Sequence, residues 1–192
     1  MFFFVAVSLH AQQKNIPIQI SLYNEATAIP FTKLVTTPIH PGIQIGTEFT
    51  YKESEHFRLF QTVNLSYYFH AQLNHGISVN TELGGEYLTN SRFSFGALIG
   101  IGYLHTFATT KEYVFEDGHY TIATDKGNAR IAPSLSFDVN YQLNKIEPTS
   151  PKIFVRYQSW IEYPYSPGFI PLMSHINLHI GAKFNLPSNT GK

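Results

Sequence analysis

The sequence predicts an all-β protein, an eight-stranded antiparallel up-and-down transmembrane β-barrel, and three observations carry that expectation. First, segment after segment alternates apolar and polar residues with a period of two, the pattern of strands with two unlike faces. In residues 57–71, Phe57, Leu59, Val63, Leu65, Tyr67 and Phe69 alternate with Arg58, Thr62, Asn64, Ser66, Tyr68 and His70, and 131–143 and 176–184 repeat the pattern. Second, the polar faces hold mostly Ser, Thr, Asn, Gln and Gly with few charges. A crowded lumen suits that composition better than open solvent. Third, charged residues make up only 14% of the 192-residue chain and aromatics 15%, against a charged fraction of roughly 25% in soluble domains. With lipid outside and polar packing inside, such strands satisfy their backbone groups by closing on themselves.

From the N-terminus, residues 1–11 (MFFFVAVSLHA) resemble the apolar core and cleavage zone of a secretory signal, with Gln12, Gln13, Lys14 and Asn15 following. The basic residues that open such signals are missing, which reads as a signal truncated at its N-terminus, with cleavage expected after Ala11. Residues 12–192 then form a single barrel domain, since no Ser/Gly linker or charge run divides them. There are no cysteines, so stability is expected from the sheet rather than from a disulfide framework.

Eight strands are expected at 16–23, 41–52, 56–72, 76–88, 92–108, 128–144, 152–162 and 174–185. The first is short but alternates cleanly, Ile16, Ile18, Ile20 and Leu22 against Pro17, Gln19, Ser21 and Tyr23. No segment has the roughly 20 apolar residues of a membrane helix. The nearest, 93–108 (FSFGALIGIGYLHTFA), separates well as a strand. Phe93, Phe95, Ala97, Ile99, Ile101 and Tyr103 lie on one side and Ser94, Gly96, Gly100 and Gly102 on the other, with Leu98 and Leu104 as exceptions.

The connections alternate in length. Short ones are expected at 52–55, 89–91 and 145–151, and longer ones at 25–40, 109–127 and 163–173, with a tight turn at 73–75 on the long-loop side. In strand number, loop parity and a last strand ending in the aromatic Phe184, residues 12–186 resemble the small eight-stranded outer-membrane barrels, the OmpX-like proteins and the membrane domain of OmpA. They depart from them in carrying residues 185–192 beyond that aromatic. The resemblance is architectural. It implies the outer membrane of a Gram-negative-type cell, outer-membrane lipid as surroundings, short turns at the periplasm and long loops outside.

The face assignments put Glu48, Arg58, Glu82, Glu86, Arg130, Asp138, Arg156, Glu162, His175, His179 and Lys183 in the lumen. An eight-stranded barrel has just enough room for side chains, so a network of paired charges cross-linking the walls is expected, with Gly84, Gly96, Gly100 and Gly102 leaving space for Tyr68 and Trp160. Barrel size argues against a pore. His175 and His179 have the spacing of a helical metal site, but on a strand they stand ~13 Å apart at ~3.3 Å per residue, too far for one ion with bonds near ~2.1 Å. His40, His75, His105 and His119 fall at strand ends or in loops at the outer rim. Neither a metal nor a cofactor is expected, and 96–102 does not match a nucleotide-binding glycine pattern.

The most individual connection, 109–127, carries Asp117-Gly118 between Tyr113, Val114, Phe115 and Tyr120, Thr121, Ile122, a hairpin signal. Tyr113, Phe115, His119, Tyr120, Tyr163, Tyr165 and Phe169 are the candidates for surface contact with an extracellular protein or glycan. Net charge is zero and the basic residues are scattered, which excludes an electrostatic footprint for nucleic acid. The function expected is structural or surface-interaction work by loops on a rigid, non-enzymatic barrel. Two other classes stay open at this point. An outer-membrane lipid-modifying enzyme would gather a polar cluster such as His105, Ser134 and Asp138, and a soluble secreted barrel would bind an apolar ligand with the faces reversed.

Overall fold

The computed structural model describes residues 15–187 except 112, 123, 145, 146, 148, 149 and 167. The expected signal at 1–11 and the end of the tail, 188–192, lie outside the described residues. The strands are β1 (Asn15–Thr27), β2 (His40–Glu53), β3 (Phe57–Phe69), β4 (Asn74–Leu88), β5 (Phe93–Ala108), β6 (Tyr113–Glu116), β7 (His119–Ile122), β8 (Asn128–Gln142), β9 (Lys152–Glu162) and β10 (Met173–Pro187). Eight of them close into a barrel in the order β1-β10-β9-β8-β5-β4-β3-β2, while β6 and β7 form a separate two-stranded hairpin. Adjacent barrel strands are antiparallel throughout, and β1 pairs with β10 from Asn15↔Pro187 to Thr27↔His175 to complete the closure. Closure leaves no barrel strand with an unpaired edge.

Two boundaries differ from expectation by three residues or more, for local reasons. β1 continues past Tyr23, because Asn24, Glu25 and Ala26 go on pairing with Leu178, Asn177 and Ile176. β3 ends at Phe69, and the tight turn is 70–73 rather than 73–75: the His70 amide donates to the Asn74 carbonyl at 2.9 Å, and the Leu73 amide to the His70 carbonyl at 3.3 Å. In the hairpin, Asp117 and Gly118 take positive φ values of 51° and 83°, as a two-residue turn matched to the strand twist requires.

The outward face is apolar. Ile43, Ile45, Leu65, Val79, Ile99, Ile101, Val139 and Ile180 are exposed, Ile99 to 67%, so the reversed-face soluble barrel is ruled out. Aromatics band both ends: Phe57, Tyr87, Phe93 and Tyr141 near the short turns, and Tyr67, Phe69, Tyr103 and Phe107 near the long loops. Phe57 and Tyr67 are ten residues apart on β3, which at ~3.3 Å per residue and a tilt of ~40° gives a band ~25 Å tall.

The connection 28–39 lies against the outer wall. Phe31 stacks on Tyr157 with ring centroids 5.3 Å apart, reaches Phe137 at 6.1 Å, and donates its amide to the Tyr157 hydroxyl at 2.8 Å. The Ala28 amide donates to the Ser174 carbonyl at 3.2 Å, and Asn24 donates to the Thr36 carbonyl at 3.0 Å while accepting from the His40 amide at 2.8 Å. Ala26, Ser159 and Ile176, on outward faces, are consequently buried, while Ile29, Phe31, Leu34 and Val35 present an apolar outer surface.

Inside, glycines mark where a side chain from a neighbouring strand crosses. The assignments differ from the expected ones. Tyr68 lies over Gly76 and Tyr23 over Gly42, whereas Gly84 admits Phe60 and Leu98, Gly100 admits Glu82, Gly102 admits Asn80 and Gly96 lies beside Asp138. Leu98 and Leu104, the exceptions on β5, point inward and are buried with the rest of the lumen.

Candidate functional site

The lumen is layered. At the short-turn end, the Arg58 guanidinium bridges Glu48 at 3.0 Å and Glu86 at 2.6 Å, Lys183 pairs with Glu48 at 2.7 Å, and Lys152 lies 3.5 Å from Glu86. Ser94 and Asn140 also donate to Glu86. One layer further in, Arg156 grips Asp138 through Nε at 2.6 Å and Nη2 at 2.8 Å and reaches Glu82 through Nη1 at 3.1 Å. Lys183 approaches Asp138 at 3.5 Å, while Ser136, Gln158 and Ser134 donate to Glu82 at 2.6, 3.1 and 3.2 Å. These pairings follow from register: Asp138 faces Arg156 across β8 and β9, and Arg58 faces Glu86 across β3 and β4. A bidentate guanidinium–carboxylate pair is the strong form of such a bond, and the hydroxyl and amide donors take up carboxylate lone pairs that would otherwise be left bare.

Above the charges comes a neutral polar layer. Asn64 links Gln19, Thr62 and Asn80, and Ser66 meets Ser78 at 2.9 Å. His179 belongs here: its Nδ1 lies 3.0 Å from Ser21 Oγ and its ring stacks on Tyr23. Tyr23, Tyr68, Leu104 and Trp160 then pack into an apolar plug. Phe60 and Phe154 play a similar part lower down, under the cations of Lys183, Arg58 and Arg156.

The long-loop mouth holds a second charged group. Arg130 Nε pairs with Glu162 at 2.6 Å and its Nη1 donates to the carbonyls of Pro164 and Tyr165. His175 lies between two carboxylates, Nδ1 at 2.8 Å from Glu25 Oε1 and Nε2 at 3.0 Å from Glu162 Oε2, with its ring flat on Trp160 at a centroid distance of 4.1 Å. It is far from His179 in role as well as position. Beside Glu25 stand His40 and His70. Register pairs Glu25 with His40 across β1 and β2, and the β2–β3 register that pairs Gly42 with Tyr68 brings His40 to His70. The two imidazoles stack at 3.5 Å between centroids, and His40 Nδ1 is 3.0 Å from the Glu25 carbonyl and 3.9 Å from its Oε2. Burial first, and His40 second, hold the His70 imidazole below its ordinary pKa, which keeps it neutral.

Sequence reasoning placed His40 at the rim but grouped it with the wrong histidines. His75 and His105 face outward, His75 stacked on Phe107 and His105 bound to the Tyr103 hydroxyl at 2.9 Å, and His119 is at the hairpin tip. The signal for Glu25 was face parity carried two residues past Tyr23, while His70 already stood on the polar face of its segment. The His105, Ser134 and Asp138 combination does not assemble: Ser134 and Asp138 lie in the layer that Arg156 bridges inside the lumen, whereas His105 pairs with Ala129 and turns outward to the Tyr103 hydroxyl. Among the loop candidates, Tyr113, Phe115, His119, Tyr120 and Phe169 are exposed, and so is Tyr163, whose backbone is bridged to Ile131. Tyr165 is instead half-buried, with the Arg130 guanidinium 5.6 Å from its ring centre.

No protein-family model matches the chain, and no curated protein matches it in sequence. Solved structures do match in fold. Neisserial surface protein A superposes with a TM-score of 0.51 at 10% identity, covering 88% of this chain and 95% of that one. The outer membrane enzyme PagL gives 0.50 at 9% identity over 88% and 98%, and Ail, the attachment invasion locus protein of Yersinia pestis, 0.50 at 11% over 90% and 97%. The chain therefore has the fold of the small eight-stranded outer-membrane barrels.

Proposed function

We propose that the chain is an integral outer-membrane protein with a structural or surface-interaction role, displaying its long loops on a rigid, side-chain-filled barrel. The observation that carries this reading is the inverted polarity, with paired charges and amides inside and apolar residues between two aromatic bands outside. In water such an outer face would be a contiguous apolar surface far larger than a soluble monomer tolerates. In a bilayer it is the face that lipid requires. The apolar surface of 28–39 extends that face beside the long-loop end.

In this orientation β6, β7 and the 163–172 connection are extracellular, and Tyr113, Phe115, Tyr120 and Phe169 are the contact residues for a protein or glycan. Folded protein recovered in the outer-membrane fraction is expected to migrate faster on a gel before boiling than after. Soluble protein without a heat-dependent shift would reject the reading. Replacing Tyr113, Phe115 and Tyr120 together by Ser is expected to leave the unfolding free energy within about 0.5 kcal/mol per site, since all three are exposed on a hairpin that is separate from the barrel sheet, while abolishing adhesion of cells carrying the protein to immobilised glycans or matrix proteins. Undiminished adhesion would move the contact off the hairpin.

A further inference from the structure

We propose that Glu25, His40 and His70 form a binding site for a divalent transition-metal ion of the zinc type at the long-loop mouth of the barrel. The inference rests on the rim geometry alone and is independent of what the hairpin binds.

The residues offer one carboxylate oxygen and two imidazole nitrogens, all within 4.8 Å of one another. Tetrahedral coordination with bonds of ~2.0–2.1 Å places ligand atoms ~3.4 Å apart, so the widest pair has to close by ~1.4 Å. His70 lies in the 70–73 turn rather than inside a strand, where a side-chain rotation and a small turn adjustment supply that movement. Two nitrogens and one oxygen suit zinc, copper or nickel. Calcium and magnesium, which take oxygen ligands, are poorly matched.

The surroundings have the features of a prepared site. Among the described residues His70 Nδ1 is buried and has no hydrogen-bond partner, an arrangement that favours an occupant. His40 Nδ1 lies at 3.0 Å from the Glu25 carbonyl oxygen, and a backbone acceptor at one ring nitrogen is the usual outer-shell arrangement that orients an imidazole whose other nitrogen binds metal. Glu25 is oriented in the same way. Its Oε1 accepts from His175 at 2.8 Å, His175 is held by Glu162 at 3.0 Å, and Glu162 by Arg130 at 2.6 Å. Oε2 remains for the ion. A cleft lined by Lys33, Thr36, Thr37 and Leu73 adjoins both imidazoles and gives access from the loop side, and three protein ligands leave a position for water. Bound metal would tie the ends of β1 and β2 to the β3–β4 turn.

The test is titration of the tag-free, chelator-treated protein, folded in detergent, with zinc chloride by calorimetry and with cobalt chloride by visible absorption. One equivalent of zinc bound, with a cobalt d–d spectrum of tetrahedral intensity, is expected. His70→Ala and His40→Ala should each weaken zinc binding at least ~10-fold, while His105→Ala, made on the outward face, should not. Heat-dependent gel mobility establishes that each variant is folded, and the cobalt spectrum of the parent protein does not depend on any variant. Absence of stoichiometric binding by the parent would overturn the proposal. So would binding that survives both rim substitutions and disappears with His105→Ala or His119→Ala.

Discussion

Replacing Arg156 by Met is expected to lower the unfolding free energy of the barrel by about 3–5 kcal/mol, read as a drop in the denaturant midpoint of the folded protein in detergent. Arg156 is 0% exposed and binds Asp138 at 2.6 and 2.8 Å and Glu82 at 3.1 Å, both carboxylates being equally buried. Methionine fills part of the volume but leaves two desolvated anions facing each other. Lys183, 3.5 Å from Asp138, offsets only one of them. The hydroxyls and amide that donate to Glu82 stabilise its charge without cancelling it. The chain carrying Arg156→Met together with Glu82→Gln and Asp138→Asn is expected to recover most of the loss, because the cost lies in the unpaired charges rather than in the absence of the pair. An unchanged midpoint in the single variant would mean that this layer is solvated and does not cross-link the wall.

The barrel was legible in the chain because its two faces meet different solvents. Alternation in 57–71 and 176–184 fixes which residues face in, and that parity also places Asp138 and Arg156 in the lumen. Pairing is a consequence of register, which closure and the turns impose. The Asp117-Gly118 turn was readable for a different reason, since its backbone demands are local. Segment 28–39 gave no such signal. Its apolar residues have no period, and Phe31 meets Tyr157 across 126 positions of sequence, a contact that only the closed sheet brings within reach.

The rim shows where parity reasoning stops. His70 was counted on the polar face of its strand and Glu25 assigned to a connection, because alternation weakens just where strands leave the apolar band. Both continue the inward face, and β1 simply runs further than its hydrophobic pattern does. Which glycine receives which side chain was likewise invisible: Gly76 and Gly42, rather than the glycines of β5, lie under the two tyrosines, and only cross-strand register decides that.

Trp160→Ala is expected to cost about 3–5 kcal/mol, and its consequences should reach the rim. The indole is buried against Tyr68, stacks on His175 at 4.1 Å between centroids, and donates Nε1–H to Asn177 at 3.1 Å. Truncation opens a void beside the plug and leaves the Asn177 oxygen without that donor. Trp160→Phe keeps a ring on His175 and loses mainly the hydrogen bond, so about 1–2 kcal/mol is expected. His175 holds Glu25 Oε1, and loosening the histidine frees the carboxylate to rotate away from His40 and His70. Zinc affinity should therefore fall in Trp160→Ala and persist in Trp160→Phe, measured on folded protein beside the denaturant midpoints. Equal affinity in both, with the stability loss confirmed, would show that Glu25 is held by strand pairing alone and that the His175–Glu162 relay serves the barrel wall instead.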